Sequence, residues 1–377
     1  MKHTAVLAAF FLCLLLLFFS QPAMQAAQNA LNLWWNTLLP TLFPFFISAT
    51  IIERTGGLHS LAKLFYPLTK KLKTSRYSLP VLIFGGISGY PSGARLCGML
   101  LSSGALTSNE AEQLGTVCNL CSPMFLLGFV ANGLFKNTSL FVPIAFSHYF
   151  AALLAAILNK ILWPQTYSRP ANIFSESKTS FWGTLPKAIA DGMSDMLKVG
   201  GSVMFFFVLA EIFKYLGLFE ILGLPIDNLF ANASGSSKCL PSYGLLLGIM
   251  EITGGCYYIS KLCLPVQTAV PLCTFIISFG GLSTMVQAMA FIQFKRPIRY
   301  ICIKLVHGLI GGLLAHLYFV LFEHSAPAFS ASQEVSPYLI NTLTGLSLLI
   351  ASSIGIAFAM LLGIASKRLI KHIAPKH

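Results

Sequence analysis

Eight stretches of roughly 17 to 27 residues are apolar and carry few charges: 4–20, 31–53, 115–135, 139–162, 199–219, 268–293, 303–323 and 338–364. At 1.5 Å rise per residue, a helix of that length crosses a hydrocarbon core of about 30 Å. Two more apolar stretches, 79–103 and 241–263, are cut by Gly, Pro, Ser and charge. Irregular backbone is tolerated at membrane depth only where protein or a cavity meets its polar groups, so these two are read as re-entrant hairpins. Only 10% of the 377 residues are charged, against about a quarter in soluble domains. The fold class that follows is an all-α polytopic membrane protein, with about eight transmembrane helices, two re-entrant hairpins and two inverted repeats.

The net charge of +13 would point to nucleic acid in a soluble protein, but here the placement of the basic residues decides. With the N-terminus in the cytoplasm, segments 53–78, 163–198, 294–304 and the tail after 364 are also cytoplasmic. Together with Lys2 these hold nineteen of the 25 Lys and Arg residues, among them Arg54, Lys63, Lys187, Arg299 and Lys304. That bias follows the positive-inside rule, places both termini in the cytoplasm and leaves no call for a nucleic-acid partner. Counting either hairpin as a full crossing would push later basic clusters outside.

The N-terminal segment has the layout of a signal peptide, with Lys2 and His3 before an apolar run and Ala23, Ala26 and Ala27 after it. No Ala-x-Ala triplet occurs there, so it is read as a transmembrane anchor. Residues 1–30 form that anchor and an outer loop, and 31–163 a first repeat with hairpin 79–103. A cytoplasmic linker, 164–198, precedes a second repeat, 199–323, with hairpin 241–263; 324–377 supply a last helix and a basic tail. The repeat rests on an echo at an offset of roughly 160 residues: Phe43-Pro44-Phe45-Phe46-Ile47 followed by Thr55-Gly56-Gly57-Leu58, and Met204-Phe205-Phe206-Phe207-Val208 followed by Leu216-Gly217-Leu218-Phe219. The order span, hairpin, span, span then recurs with opposite polarity, the pattern of many secondary transporters.

Candidate binding residues cluster at the interruptions. In the first hairpin Gly89, Tyr90, Pro91, Ser92 and Gly93 allow a tight reversal that leaves backbone N–H groups free, with Arg95 one turn on. Such a helix start with a guanidinium suits an anion; alternatively, Arg95 snorkels or pairs with Glu251. Glu251 sits within the second hairpin beside Thr253 and Gly254, as a coupling group for H⁺ or Na⁺ or as the charge partner of Arg95. Glu211 is a second carboxylate at depth, with Lys214 placed to pair with it one helical turn away. Pro123 removes a donor and frees a carbonyl near Asn119, so Asn119 and Ser122 either line the solute path or belong to a structural kink. Gly280-Gly281-Leu282-Ser283-Thr284 and Gln287 hold the corresponding place in the second half. Thr107 and Glu110 have capping-box spacing at a helix start.

Other chemistries find little support. The nine cysteines are odd in number, and the Cys118/Cys121 spacing has no second pair or His cluster to make a metal site. No P-loop motif occurs, so primary active transport by this chain alone is not expected. Nor is there a nucleophile–base set that would make it an enzyme. No cofactor is expected; the partners are the bilayer and a small anion, with self-association left open.

The run Gly89-Tyr90-Pro91-Ser92-Gly93-Ala94, then Leu106 to Leu114 and Asn119-Leu120-Cys121-Ser122-Pro123-Met124-Phe125, resembles the YlbJ-type sporulation integral membrane proteins. Glu251-Ile252-Thr253-Gly254-Gly255 and Phe279-Gly280-Gly281-Leu282-Ser283-Thr284 are similar to that family's second half. The resemblance spans about 30–325. It implies membership of the nucleoside-recognition, or gate-domain, group, with an architecture similar to concentrative nucleoside transporters. It also implies a role in spore formation, moving dipicolinate across the outer forespore membrane by alternating access. A nucleoside or other small solute on the same scaffold, and a non-transporting assembly factor, are the alternatives.

Overall fold

The computed structural model describes residues 2–163, 180–234, 241–262 and 264–322, and every regular element among them is helical. After α1 (Lys2–Phe18), a long helix runs through α2 (Ser20–Leu33), a π-turn at Trp34–Leu38 and α3 (Leu39–Arg54), followed by α4 (Gly57–Lys71). Then come two short helices, α5 (Ser78–Ser88) and α6 (Ser92–Ser102). Next is a broken helix, α7 (Ser108–Cys118) with Phe125–Leu134, and then α8 (Phe141–Leu162). The second half repeats that order: a long helix, α9 (Phe181–Tyr215), and α10 (Leu218–Ser234), then two short helices, α11 (Pro241–Met250) and α12 (Ile252–Lys261). It closes with a broken helix, α13 (Val266–Phe279) and α14 (Gly281–Phe291), and α15 (Pro297–Phe322).

The sequence echo falls on matching joints. Gly56 (φ 78°) and Gly217 (φ 70°) take the left-handed conformation that ends each long helix and turns the chain into α4 or α10. Only glycine adopts that conformation without steric cost.

Equivalent helices of the two halves run antiparallel. Trp34 Nε1 donates to the Met196 carbonyl at 3.0 Å, while Arg54 pairs with Asp191 at 2.7 Å. The α2–α3 chain therefore ascends as α9 descends. In α8 and α15, His307 Nε2 lies 2.9 Å from the His148 carbonyl, and Arg299 donates two hydrogen bonds to Asn159 Oδ1 at 3.0 and 2.9 Å.

Among the described residues, five stretches are long and apolar enough to cross a membrane: Ser20–Ile52, Thr138–Leu162, Phe181–Tyr215, Val266–Phe291 and Pro297–Phe322. The arms of α5/α6 and α11/α12, at 10 or 11 residues, reach about 16 Å, half the hydrocarbon thickness. Both pairs fold back on themselves. A Cβ on Gly255 would overlap the Cα of Gly248, and one on Gly85 would crowd the Cα of Gly93 at 3.0 Å. Backbones approach this closely only where small residues remove the side chains between them.

Several sequence expectations need correction. The 115–135 span is two pieces, because α7 stops at Cys118 and residues 119–122 are not helical. Ser122 Oγ caps the second piece by accepting from Phe125 N at 3.2 Å. The second long helix starts at Phe181, inside the stretch read as a linker, because Ser180 caps it by accepting from Gly183 N at 3.1 Å. Segment 53–78 is not a plain loop either, since α4 occupies much of it, and α10 fills most of the stretch between the span 199–219 and the second hairpin. The expected span 338–364 and the basic tail lie outside the described residues. The Thr107–Glu110 capping box is present as read, with both reciprocal bonds formed.

Candidate functional site

Each hairpin tip meets the break in a broken helix. At the first, Gly89 (φ 80°) packs on Ser122, and a Cβ on Gly93 would overlap the Cys118 carbonyl oxygen. At the second, Gly281 packs on the Gly248 carbonyl and on Ile252. The two halves join where the Tyr90 hydroxyl donates to the Ile277 carbonyl at 3.0 Å, in the last turn of α13. Gly280, in the left-handed conformation at φ 88°, stops α13 there.

Between the tips lies a cavity of about 40 Å³, room for a few water molecules. Its polar lining comes from both halves: Tyr90 and Ser122 from the first, and Glu251, Thr253, Ser283, Thr284 and Gln287 from the second. Leu38, Leu42, Val199 and Val203 of the two long helices close its apolar side, with Phe125. A solute of a dozen heavy atoms enters only if this region opens.

Glu251 is 1% exposed and is the N-cap of α12. Its Oε2 accepts from Gly254 N at 2.8 Å and its Oε1 from Thr253 Oγ1 at 2.9 Å. It is not the partner of Arg95. Thr284 Oγ1 donates to the Gly280 carbonyl, whereas the buried Ser283 Oγ has no hydrogen-bond partner among the described residues. Ser92 Oγ and Asn119 Oδ1 are also buried without one. Such groups are costly to leave unpaired, and a polar guest or water would meet them.

Arg95 does not line the cavity. Its Nε sits 2.7 Å from Asp195 Oδ2 on α9, and its guanidinium also donates to Thr50 Oγ1 at 2.9 Å. Lys198 reaches the other Asp195 oxygen at 2.9 Å. The anion role expected for Arg95 therefore lacks the required geometry here; the guanidinium ties the first hairpin to the long helices. Glu211 also lies off the cavity and pairs with Lys214 at 3.0 Å. Gly89, Gly93 and Gly254 serve close packing, Gly254 against Phe207.

Beside the cavity lies a buried polar cluster that sequence spacing alone does not mark. Lys304, 1% exposed on α15, donates to the Tyr90 hydroxyl and the Asn119 carbonyl, both at 3.2 Å, and lies 3.3 Å from His307 Nδ1. His148 Nε2 accepts from Cys121 N at 3.1 Å, and its Nδ1 is 2.9 Å from Ser278 Oγ. Asn119 Nδ2 donates to the Tyr300 hydroxyl at 3.0 Å. The carbonyl loosened near Pro123 is thus met by Lys304, not by Ser122. By position in the sequence Lys304 and Arg299 belong to the basic cytoplasmic segment 294–304, yet both are buried in the bundle. The available signal was a Lys and a His three residues apart in an apolar span, where ionisable groups usually mark function.

These features define a polytopic helical membrane protein whose two halves bring paired hairpins and broken helices to one central polar cavity. No family model matches the chain, and no solved structure does either. Among curated proteins it is similar to the sporulation integral membrane protein YlbJ of Bacillus subtilis strain 168, with 25% identity over 369 residues covering 90% of this chain and 87% of that protein. The YlbJ-type resemblance read from the motifs therefore holds along nearly the whole chain.

Proposed function

We propose that the protein is a carrier for a small polar solute, working by alternating access, and that in a spore-forming cell the solute is dipicolinate. The observation that carries this reading is the convergence of both hairpin tips and both helix breaks on one cavity. Broken helices at such a point expose backbone and side-chain polar groups to a solute while the flanking helices stay satisfied. The small cavity corresponds to a closed state, and motion of the hairpins against α2–α3 and α9 would open it. Similarity to a sporulation membrane protein supports the spore setting. We place both termini in the cytoplasm on the basic-residue bias.

A second reading has its own observation. The lining offers one carboxylate, one amide and five hydroxyls, a set that also suits the hydroxyl and amide groups of a neutral nucleoside. Uptake into vesicles bearing the protein decides between them, with labelled dipicolinate and labelled nucleosides offered separately. Dipicolinate uptake is expected; nucleoside uptake alone would replace the solute, and uptake of neither by correctly inserted protein would favour an assembly role.

Glu251 is the candidate coupling group, because it is the one ionisable carboxylate on the cavity wall. Glu251→Gln keeps the side-chain length and one acceptor for the α12 cap. It is expected to lower uptake at least tenfold and to abolish stimulation by an imposed H⁺ or Na⁺ gradient. Undiminished, gradient-driven uptake by this variant would remove Glu251 from the coupling path.

A further inference from the structure

Lys304 is a buried amine at the centre of the helical bundle, with no carboxylate beside it among the described residues. Its three contacts are to the neutral Tyr90 hydroxyl, the Asn119 carbonyl and His307, and its Nζ lies 5.3 Å from the Tyr90 ring centroid. Among the described residues no carboxylate comes within ion-pair distance of it. Arg95, the partly buried guanidinium of the first hairpin, has Asp195. Positive charge held inside an apolar bundle is expensive, and the carbonyl at the end of α7 offsets only part of the cost.

The position of Lys304 gives that charge a use. Tyr90 lines the cavity and its hydroxyl accepts from Lys304, so a single side chain joins the Lys304 amine to the wall of the solute space. A Cβ on Gly280 would lie 3.3 Å from Lys304 Cε, which places the side chain against the helix break as well. The four elements around it, the first hairpin tip, the end of α7, the α13 break and α15, come from both halves. Any hairpin movement that widens the cavity changes the distance between Lys304 and the solute.

We infer that Lys304, acting together with the Tyr90 hydroxyl, binds a carboxylate of the solute and makes the carrier select anions. The solute carboxylate replaces the Ile277 carbonyl as acceptor for the Tyr90 hydroxyl and supplies the negative charge that Lys304 lacks. Electrostatic complementarity of this kind sets selectivity more than gross affinity. The inference rests on the transport reading.

The test is competition for labelled dipicolinate uptake in vesicles by unlabelled dipicolinate and by neutral pyridine-2,6-dicarboxamide. Wild type should prefer the dianion at least tenfold. Lys304→Met, and Lys304→Gln, which keeps a donor for the Asn119 carbonyl, should raise KM for dipicolinate at least tenfold while the dicarboxamide competes as before. A folded variant of either kind with the wild-type preference would overturn the role of Lys304 and leave transport standing. Wild-type protein that moves neither compound would overturn both. If neither Lys304 variant folds, Tyr90→Phe decides, and an unchanged preference there overturns the inference.

Discussion

Gly93→Ala should yield little folded protein, and Gly255→Ala should behave in the same way. At Gly93 the added carbon would overlap the Cys118 carbonyl oxygen, and at Gly255 the Gly248 Cα. Both obstacles are backbone, which cannot turn aside as a side chain can. Overpacking in a well-packed core costs about 1–3 kcal/mol when side chains can adjust; here the hairpin must separate from its partner, so the loss is expected above that range. Gly201→Ala is the control, because it sits exposed on α9 with nothing within 4 Å of its Cβ. Replacing a mid-helix glycine there should be neutral or stabilising by up to ~1 kcal/mol. Size-exclusion profiles in detergent after graded heating would rank the three. If Gly93→Ala melted like wild type, the tight packing of the first hairpin on the α7 break would be wrong.

What made these contacts legible was chemistry that acts locally. Apolar run length marked most of the crossings, and clustered Gly, Pro and Ser marked where they break. The echo around Gly56 and Gly217 worked because both residues perform the same backbone task, a left-handed turn at the end of a long helix. Thr107 and Glu110 were equally readable, since a capping box is complete within four residues. Of the cavity, the polar lining is legible at Tyr90, Ser122, Glu251, Thr253, Ser283, Thr284 and Gln287.

Long-range pairing was not legible. Lys304 closes a run of basic residues beginning at Lys295 and looks like the end of a cytoplasmic cluster; only packing against Tyr90 and Asn119 reveals it as buried. Residues 181–198 read as linker because Lys187, Asp191, Asp195 and Lys198 interrupt their apolar pattern. Those charges serve contacts between elements: Asp191 meets Arg54, and Asp195 meets Arg95. A single chain cannot rank such partners by spacing, and the obvious candidate for Arg95, the carboxylate of the opposite hairpin, is occupied in capping α12.

Asp195→Ala gives the second large effect, and it separates two roles for Arg95. The carboxylate is 5% exposed and the guanidinium 14%, so removing Asp195 strands a mostly buried cation with Thr50 as its remaining polar contact. Breaking one side of a buried pair costs about 3–5 kcal/mol, enough to lower the melting temperature clearly and weaken the docking of α6 on α9. Arg95→Met should cost less, because Asp195 keeps Lys198, which is 56% exposed and can move with it. The double variant Arg95→Met/Asp195→Leu should recover most of the loss, since apolar groups of similar volume often replace a buried pair without penalty. The cycle is therefore expected to be strongly non-additive. If Arg95 bound the solute, the double variant would be stable but silent in dipicolinate uptake; if it is a structural tie, uptake returns with stability. Recovery of stability without uptake would move the anion site from Lys304 back to the first hairpin.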